Sequence, residues 1–409
     1  MAFISPLAPK IFPQLPEING IKMLSTSAKI KPSGKNDVLI IKFKPGSSVA
    51  GVFTTSYTAG SNIKYCRSIL SHGYASVLIV NSGNANVAVG EEGDKAIQEI
   101  VNTCSKEFSC PSEEVYFSST GIIGQVLPTK NIISVIIDSE RKMNSTGWRE
   151  AAMAITTTDT YPKMVTKQTN IGGVNVTING ICKGSGMIAP NMATMLAYIF
   201  TDASINSNIM QKLLNEYTEI SFNSITVEGD MSTSDTVLMF ATNVVKHPKV
   251  ISHNDNIISD FKVALKNLMI EMAHLIVKDG EGAQKFITIS IENVVSEKVA
   301  KKLALSVANS PLVKTAIAGE NPNWGRIIMA LGKAEEAFDQ NKISVKIGDE
   351  FIFKKGTLYT NCNMERINNH MQGSEIKITI DMDYGNKKAV VWTCDLTHKF
   401  IDINSLYST

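Results

Sequence analysis

The sequence predicts an α+β fold, with a layered αββα arrangement preferred over a doubly wound parallel sheet. Three observations carry this. Some segments alternate apolar and polar residues, others space apolar residues as a helix does, and the two kinds do not follow one another in the regular order a strand–helix–strand repeat requires.

In chain order, Val77-Leu78-Ile79-Val80 reads as a deeply buried strand. Ala96, Ile97, Ile100, Val101 and Cys104 suit one helix face. Val115-Tyr116-Phe117 is strand-like, and Thr120-Gly121-Ile122-Ile123-Gly124 after it reads as a loop or as backbone N–H groups aimed at an anion. The stretch Cys182 to Ala193 is the most turn-rich of the central part of the chain, and the apolar run Met195 to Phe200 follows it. Val237-Leu238-Met239-Phe240 is another buried strand. Phe261, Leu265, Leu268, Met269, Met272 and Ile276 form a helix face that ends at Lys278-Asp279-Gly280, a cationic last turn with a glycine stop. Ile287, Ile289 and Ile291 alternate with Thr288 and Ser290, and Ile376, Ile378, Ile380 and Met382 repeat the pattern, so each predicts a strand with one buried face. Val390-Val391-Trp392 reads as a buried strand near the end.

The chain has 409 residues, which at ~100–200 residues per domain suggests two or three domains or one large one. Hydrophobic residues make up 44% and charged residues 19%, enough for a sizeable core. The net charge of +2, with no basic run longer than two residues, argues against an electrostatic nucleic-acid binder. The N-terminus lacks a basic n-region with a long apolar stretch, and no apolar run approaches the ~20 residues of a membrane span, so a cytoplasmic protein is expected. Six cysteines and six histidines are scattered without metal-ligand spacing, which predicts neither a disulfide framework nor a metal site.

Few motifs stand out by chemistry alone. Gly184-Ser185-Gly186 lacks the phosphate-loop spacings and reads as a tight turn. Asn81 to Asn86 is explained by turn chemistry. Glu228, Asp230 and Asp235 gather three carboxylates, either an acid/base group or an exposed turn. Thr194 is a poor nucleophile inside a chain. If the bond before it were cut, its new α-amine, titrating near ~7.7–8.0, would serve as a base for its own Oγ. Ala193 and the glycine-rich approach permit such a cut, but on residues alone Thr194 reads far better as the start of a strand.

The run Lys183-Gly184-Ser185-Gly186-Met187-Ile188-Ala189-Pro190-Asn191-Met192-Ala193-Thr194-Met195-Leu196 resembles the signature of the ornithine acetyltransferase family, the glutamate N-acetyltransferases of arginine biosynthesis. The resemblance extends over nearly the whole chain. It runs through Ala50 to Thr55, Asn81 to Asn86, Thr120 to Gly124 and Thr157 to Lys163, then Glu228 to Thr236, Asp279 to Ala283, Asn323 to Arg326 and Trp392 to Leu396.

The resemblance implies the layered αββα fold of self-processing enzymes, which some aminopeptidases share. It implies a precursor that cuts itself between Ala193 and Thr194 into an α chain, 1–193, and a β chain, 194–409. Both remain in one folded unit, commonly as α2β2. The implied reaction moves acetyl from N2-acetylornithine to Thr194 and then to glutamate. Thr194 is the nucleophile, and Thr120 and Gly121 form the oxyanion hole. Thr157, Lys183, Thr194, Glu281, Asn404 and Thr409 bind substrate. No metal or tightly bound cofactor is implied, and acetyl-CoA remains open as a second donor. A self-processing aminopeptidase or amide hydrolase using the same Thr194 is the alternative. The chain departs from the family pattern at its end, Tyr407-Ser408-Thr409 in place of Tyr-Arg-Thr, and at Glu228, Ser234 and Asn321, where Asp, Asn and Asp are commoner.

Overall fold

The computed structural model describes residues 4–189 and 195–406. Three sheets occur among them. The first has four strands in the order β1 (Ile21–Thr26), β2 (Val38–Phe43), β4 (Val77–Asn84), β5 (Val115–Ile122). The second has five, in the order β3 (Ser48–Phe53), β9 (Thr236–Val245), β8 (Leu196–Ala203), β7 (Val174–Lys183), β6 (Lys163–Ile171). The third has six, in the order β13 (Thr357–Leu358), β12 (Glu350–Lys354), β11 (Ser344–Ile347), β14 (Glu375–Asp381), β10 (Phe286–Val294), β15 (Lys387–Cys394).

Side-chain alternation along the strands explains how the first two sheets stack. In β2, Leu39 and Ile41 point into the core between the sheets, while Val38 and Ile40 pack under the helices Glu91–Glu107 and Thr129–Ile136. In β8, Tyr198 and Phe200 enter the same central core, while Ala197 and Ile199 meet the helices Ser207–Glu219 and Ser259–Lys278. The order is therefore helix, sheet, sheet, helix, the expected αββα layering. Both faces are covered at the inner strands β2, β8 and β9, which therefore read as near-continuous apolar runs. Phe43, Phe200 and Phe240 seal the centre, with Phe43 and Phe240 stacked at 4.4 Å between centroids.

The third sheet is built from the two alternating segments of the sequence. They lie side by side in parallel register, with Ile287 opposite Ile376, Ile289 opposite Ile378 and Ile291 opposite Ile380. Their isoleucines share a core with residues of the helices Glu297–Ala308 and Trp324–Gly332. No helix among the described residues is long and apolar enough to cross a membrane.

Four local expectations change. Thr120 and Gly121 belong to β5, not to a loop, and Asn81 to Asn84 continue β4. Their polar side chains are satisfied internally: Asn81 accepts from Ser119 Oγ at 2.6 Å and donates to the Asn84 carbonyl at 2.8 Å. Of Val390-Val391-Trp392 only Val391 is buried, because β15 is an edge strand. Gly280 does not close the helix before it through a left-handed conformation. It makes room, since a Cβ there would lie 2.8 Å from Cys394 Sγ.

Candidate active site

One end of the αββα sandwich opens into a cavity of about 280 Å³. Thr120, Gly121, Thr157, Lys183, Glu281 and Asn404 all line it. Ala193, Thr194 and Thr409 lie outside the described residues. The residue after Thr194 is described: the Met195 N–H donates to Asp235 Oδ1 at 2.8 Å, and its carbonyl accepts from the Thr236 N–H at 3.1 Å.

Each wall is the end of an element. Thr120 and Gly121 finish β5 beside Ser82 and Gly83 of β4, where the parallel register slips at Gly83 and Asn84. The slip draws the two backbones so close that a Cβ on Gly121 would stand 2.3 Å from the Gly83 carbonyl carbon. Gly121 also holds φ +132°, so glycine is required twice over. Lys183 is the last residue of β7 and pairs with Leu196, the first of β8. Thr157 lies in the loop before β6, and Glu281 follows the helix Ser259–Lys278. Asn404 comes from the helix His398–Leu406 and donates to Glu281 Oε2 at 2.7 Å. Gly186 faces Glu281, and a Cβ on it would collide with that carboxylate at 2.7–2.8 Å.

The site concentrates buried charge. Lys183 is 2% exposed, and its hydrogen bond among the described residues is to Thr120 Oγ1 at 3.3 Å. Burial lowers its ammonium below the ordinary lysine range, against the pull of Asp159, Asp235 and Glu281. Burial would raise the Asp159 carboxyl, but Lys163 and Lys183 outweigh it and hold Asp159 well below the usual range. Lys163 Nζ lies 2.6 Å from both Asp159 and Asp279, and these carboxylates overcome its own burial and raise it.

Of the acidic stretch, Glu228 and Asp230 line the cavity, while Asp235 is buried behind it, so the stretch is not simply an exposed turn. Glu228 lines the cavity, takes the Ile188 N–H on Oε1, and has Oε2 buried without a partner among the described residues. Burial, then Glu281 and Asp230, push it up to about 8. Asp235 is fully buried and stands well above its ordinary value for the same first reason. Asp230 also lines the cavity but is exposed. Sequence spacing alone offers no signal that separates these three.

The model of the ArgJ family matches residues 22–409. The chain belongs to the ArgJ family. It is 44% identical over 404 residues to the arginine biosynthesis bifunctional protein ArgJ of Gluconobacter oxydans (strain 621H), covering 99% of this chain and 95% of that protein. To the protein of the same name from Brucella melitensis biotype 1 it is 42% identical over 409 residues, covering 99% of each. Among solved structures it is similar to the ArgJ of Bacillus halodurans, with 32% identity and a TM-score of 0.49 over 51% of this chain and 98% of that one. It is also similar to the ornithine acetyltransferase of Mycobacterium tuberculosis complexed with ornithine, with 29% identity and a TM-score of 0.38 over 42% of this chain and 92% of that one. As an ArgJ family member the chain is an enzyme, an acyltransferase of arginine biosynthesis.

Proposed function

We propose that this enzyme transfers an acetyl group from N2-acetylornithine to glutamate by a ping-pong route through an acetyl-Thr194 ester, giving ornithine and N-acetylglutamate. The observation that supports it best is the convergence of Thr120, Gly121, Thr157, Lys183, Glu281 and Asn404 on one cavity of about 280 Å³. These residues come from distant parts of the chain, and the cavity suits an amino-acid-sized ligand.

In this reading the precursor cuts itself between Ala193 and Thr194. The fragments 1–193 and 194–409 stay joined because β7 and β8, on either side of the cut, pair from Ile178–Thr201 to Lys183–Leu196. β3 of the first fragment also pairs along its length with β9 of the second. Two such units assemble as α2β2 in the cytoplasm.

Thr194 Oγ gives its proton to its own α-amine and attacks the acetyl carbonyl. Hydrogen-bond donors of Thr120 and Gly121 hold the resulting oxyanion, a role worth ~2.7–4 kcal/mol per donor. Collapse returns the proton to the leaving α-amine of ornithine. The α-amine of glutamate then attacks the ester, and Thr194 is regenerated. Lys183 takes the substrate α-carboxylate and Glu281 the cationic side-chain amine, with Thr157, Asn404 and Thr409 completing the contacts. The acyl group rides on the protein, so no tightly bound cofactor is invoked. Because the similar proteins are named bifunctional, acetyl-CoA is included as a second donor.

The wild type should run as two bands on a denaturing gel, the second beginning at Thr194, and should form N-acetylglutamate from N-acetylornithine and glutamate. Thr194→Ala should remain one uncut, inactive chain. Normal cutting of that variant refutes the nucleophile assignment. Release of acetate with no N-acetylglutamate identifies a hydrolase instead.

A further inference from the structure

Two sequence motifs, Thr157 to Lys163 and Asp279 to Ala283, contain charged residues that the mechanism leaves unused. Asp159, Lys163 and Asp279 are not among the residues that line the cavity. The side chains of Asp159 and Lys163 are 0% exposed, and so is that of Asp279.

Their hydrogen bonds reach Thr157 and the residue after Lys183, two of the walls that bind substrate in the proposed reading. Asp159 Oδ2 accepts the Thr157 N–H at 3.0 Å, and Asp159 Oδ1 accepts the Gly184 N–H, next to Lys183, at 2.7 Å. Lys163 bridges Asp159 to Asp279 at 2.6 Å on each side. Asp279 also accepts from the Thr160 N–H at 2.9 Å and from the Thr160 hydroxyl. Two residues beyond Asp279, the Glu281 N–H donates to the Ser185 carbonyl at 2.9 Å, and Ser185 Oγ meets Thr158 Oγ1 at 2.6 Å. Three separate segments are thus closed into one ring behind the cavity.

We propose that Asp159 is a positioning residue that, braced by Lys163 and Asp279, sets the placement of Thr157, Lys183 and Glu281 around the substrate. The inference deepens the proposed acetyl transfer and rests on it for the identity of the ligand. A carboxylate can do this where a neutral group cannot, since charged hydrogen bonds are roughly twice as strong as neutral ones and Asp159 accepts three at once. Its charge also acts on Lys183. The groups facing that ammonium are Asp159, Asp235 and Glu281, which favour the charged form, and Lys163 and Lys31, which oppose it. A purely structural brace would hold the walls without affecting that balance.

The test is Asp159→Asn in the full chain, read in two ways. Without substrate, the titration midpoint of Lys183 is followed by NMR of 13Cε-labelled lysine, assigned with Lys183→Met. It should fall by about one pH unit or more. With substrates, KM for N-acetylornithine should rise at least tenfold with kcat changed less, and the alkaline limb of kcat/KM should move to lower pH. An unchanged Lys183 midpoint in a folded variant overturns the proposal. Because that arm needs no acetyl transfer, it decides the matter even where the proposed reaction fails. Should Asp159→Asn not fold, Asp279→Asn loosens Lys163 and leaves Asp159 charged. A several-fold rise in KM with the Lys183 midpoint kept supports the brace, and an unchanged KM refutes it.

Discussion

Lys183, at the sandwich end that forms the cavity, and the buried lysines at the six-stranded sheet are held in opposite ways. At the six-stranded sheet, Lys314 Nζ donates to the Val227 carbonyl at 2.6 Å, to Thr393 Oγ1 at 2.9 Å and to the Cys394 carbonyl. Lys285 Nζ donates to the carbonyls of Met371 and Gly373 at 2.9 and 3.0 Å, and meets Glu320 at 3.2 Å. An ammonium has three donors, so both lysines are saturated. Lys183 is as deeply buried yet holds one bond of 3.3 Å among the described residues. Saturated lysines tie the chain together, whereas Lys183, with donors left over among the described residues, suits the ligand contact proposed for it.

Replacing each kind of lysine should break the comparison if it is wrong. Lys183→Met should have the largest effect on activity. Truncating one partner of a buried, hydrogen-bonded charge pair costs about 2–5 kcal/mol, so kcat/KM for N-acetylornithine should fall by about 100-fold or more while Tm holds or rises. Lys314→Met should do the reverse. It strands two carbonyls and a hydroxyl at roughly 1–3 kcal/mol each, so Tm should fall, and the folded fraction should keep its KM. Equal Tm losses in the two variants would erase the distinction.

A smaller effect concerns pH. The Glu228 carboxyl is pushed up to about 8 from 4.5, chiefly by burial, so the folded protein holds a proton there that the unfolded chain releases. That contribution is complete below about 4.5 and is lost as pH rises to about 8. Glu228→Gln should flatten this part of the Tm-against-pH curve and make the variant the more stable form above pH 8. Parallel curves for the two proteins would show that Glu228 is ionised throughout.

Much of the fold was legible because period-two alternation survives wherever a strand faces a core. Ile287 to Ile291 and Ile376 to Ile380 were readable as strands, although their parallel pairing was not. Asn81 to Asn84 escaped the same reading. Polar residues in a strand look like a turn until Ser119 and the Asn84 carbonyl satisfy them. Resemblance to a family supplied Thr120, Gly121, Thr157, Lys183, Glu281 and Asn404, and the structure brings these six to one cavity. The environment of Glu228 was not legible, because the Ile188 N–H that it accepts and the Glu281 charge that acts on it both lie far away in sequence.

The sequence by itself determined the α+β class, the main helices and strands, and the family motifs, because hydrophobic period and residue type are local properties. Tertiary structure alone decided which motifs share a cavity and which carboxyls lose their water. It also decided that Lys163 and Asp279, 116 residues apart, form one ion pair. Burial and charge pairing depend on the sum of all neighbours, and only the closed fold specifies that sum.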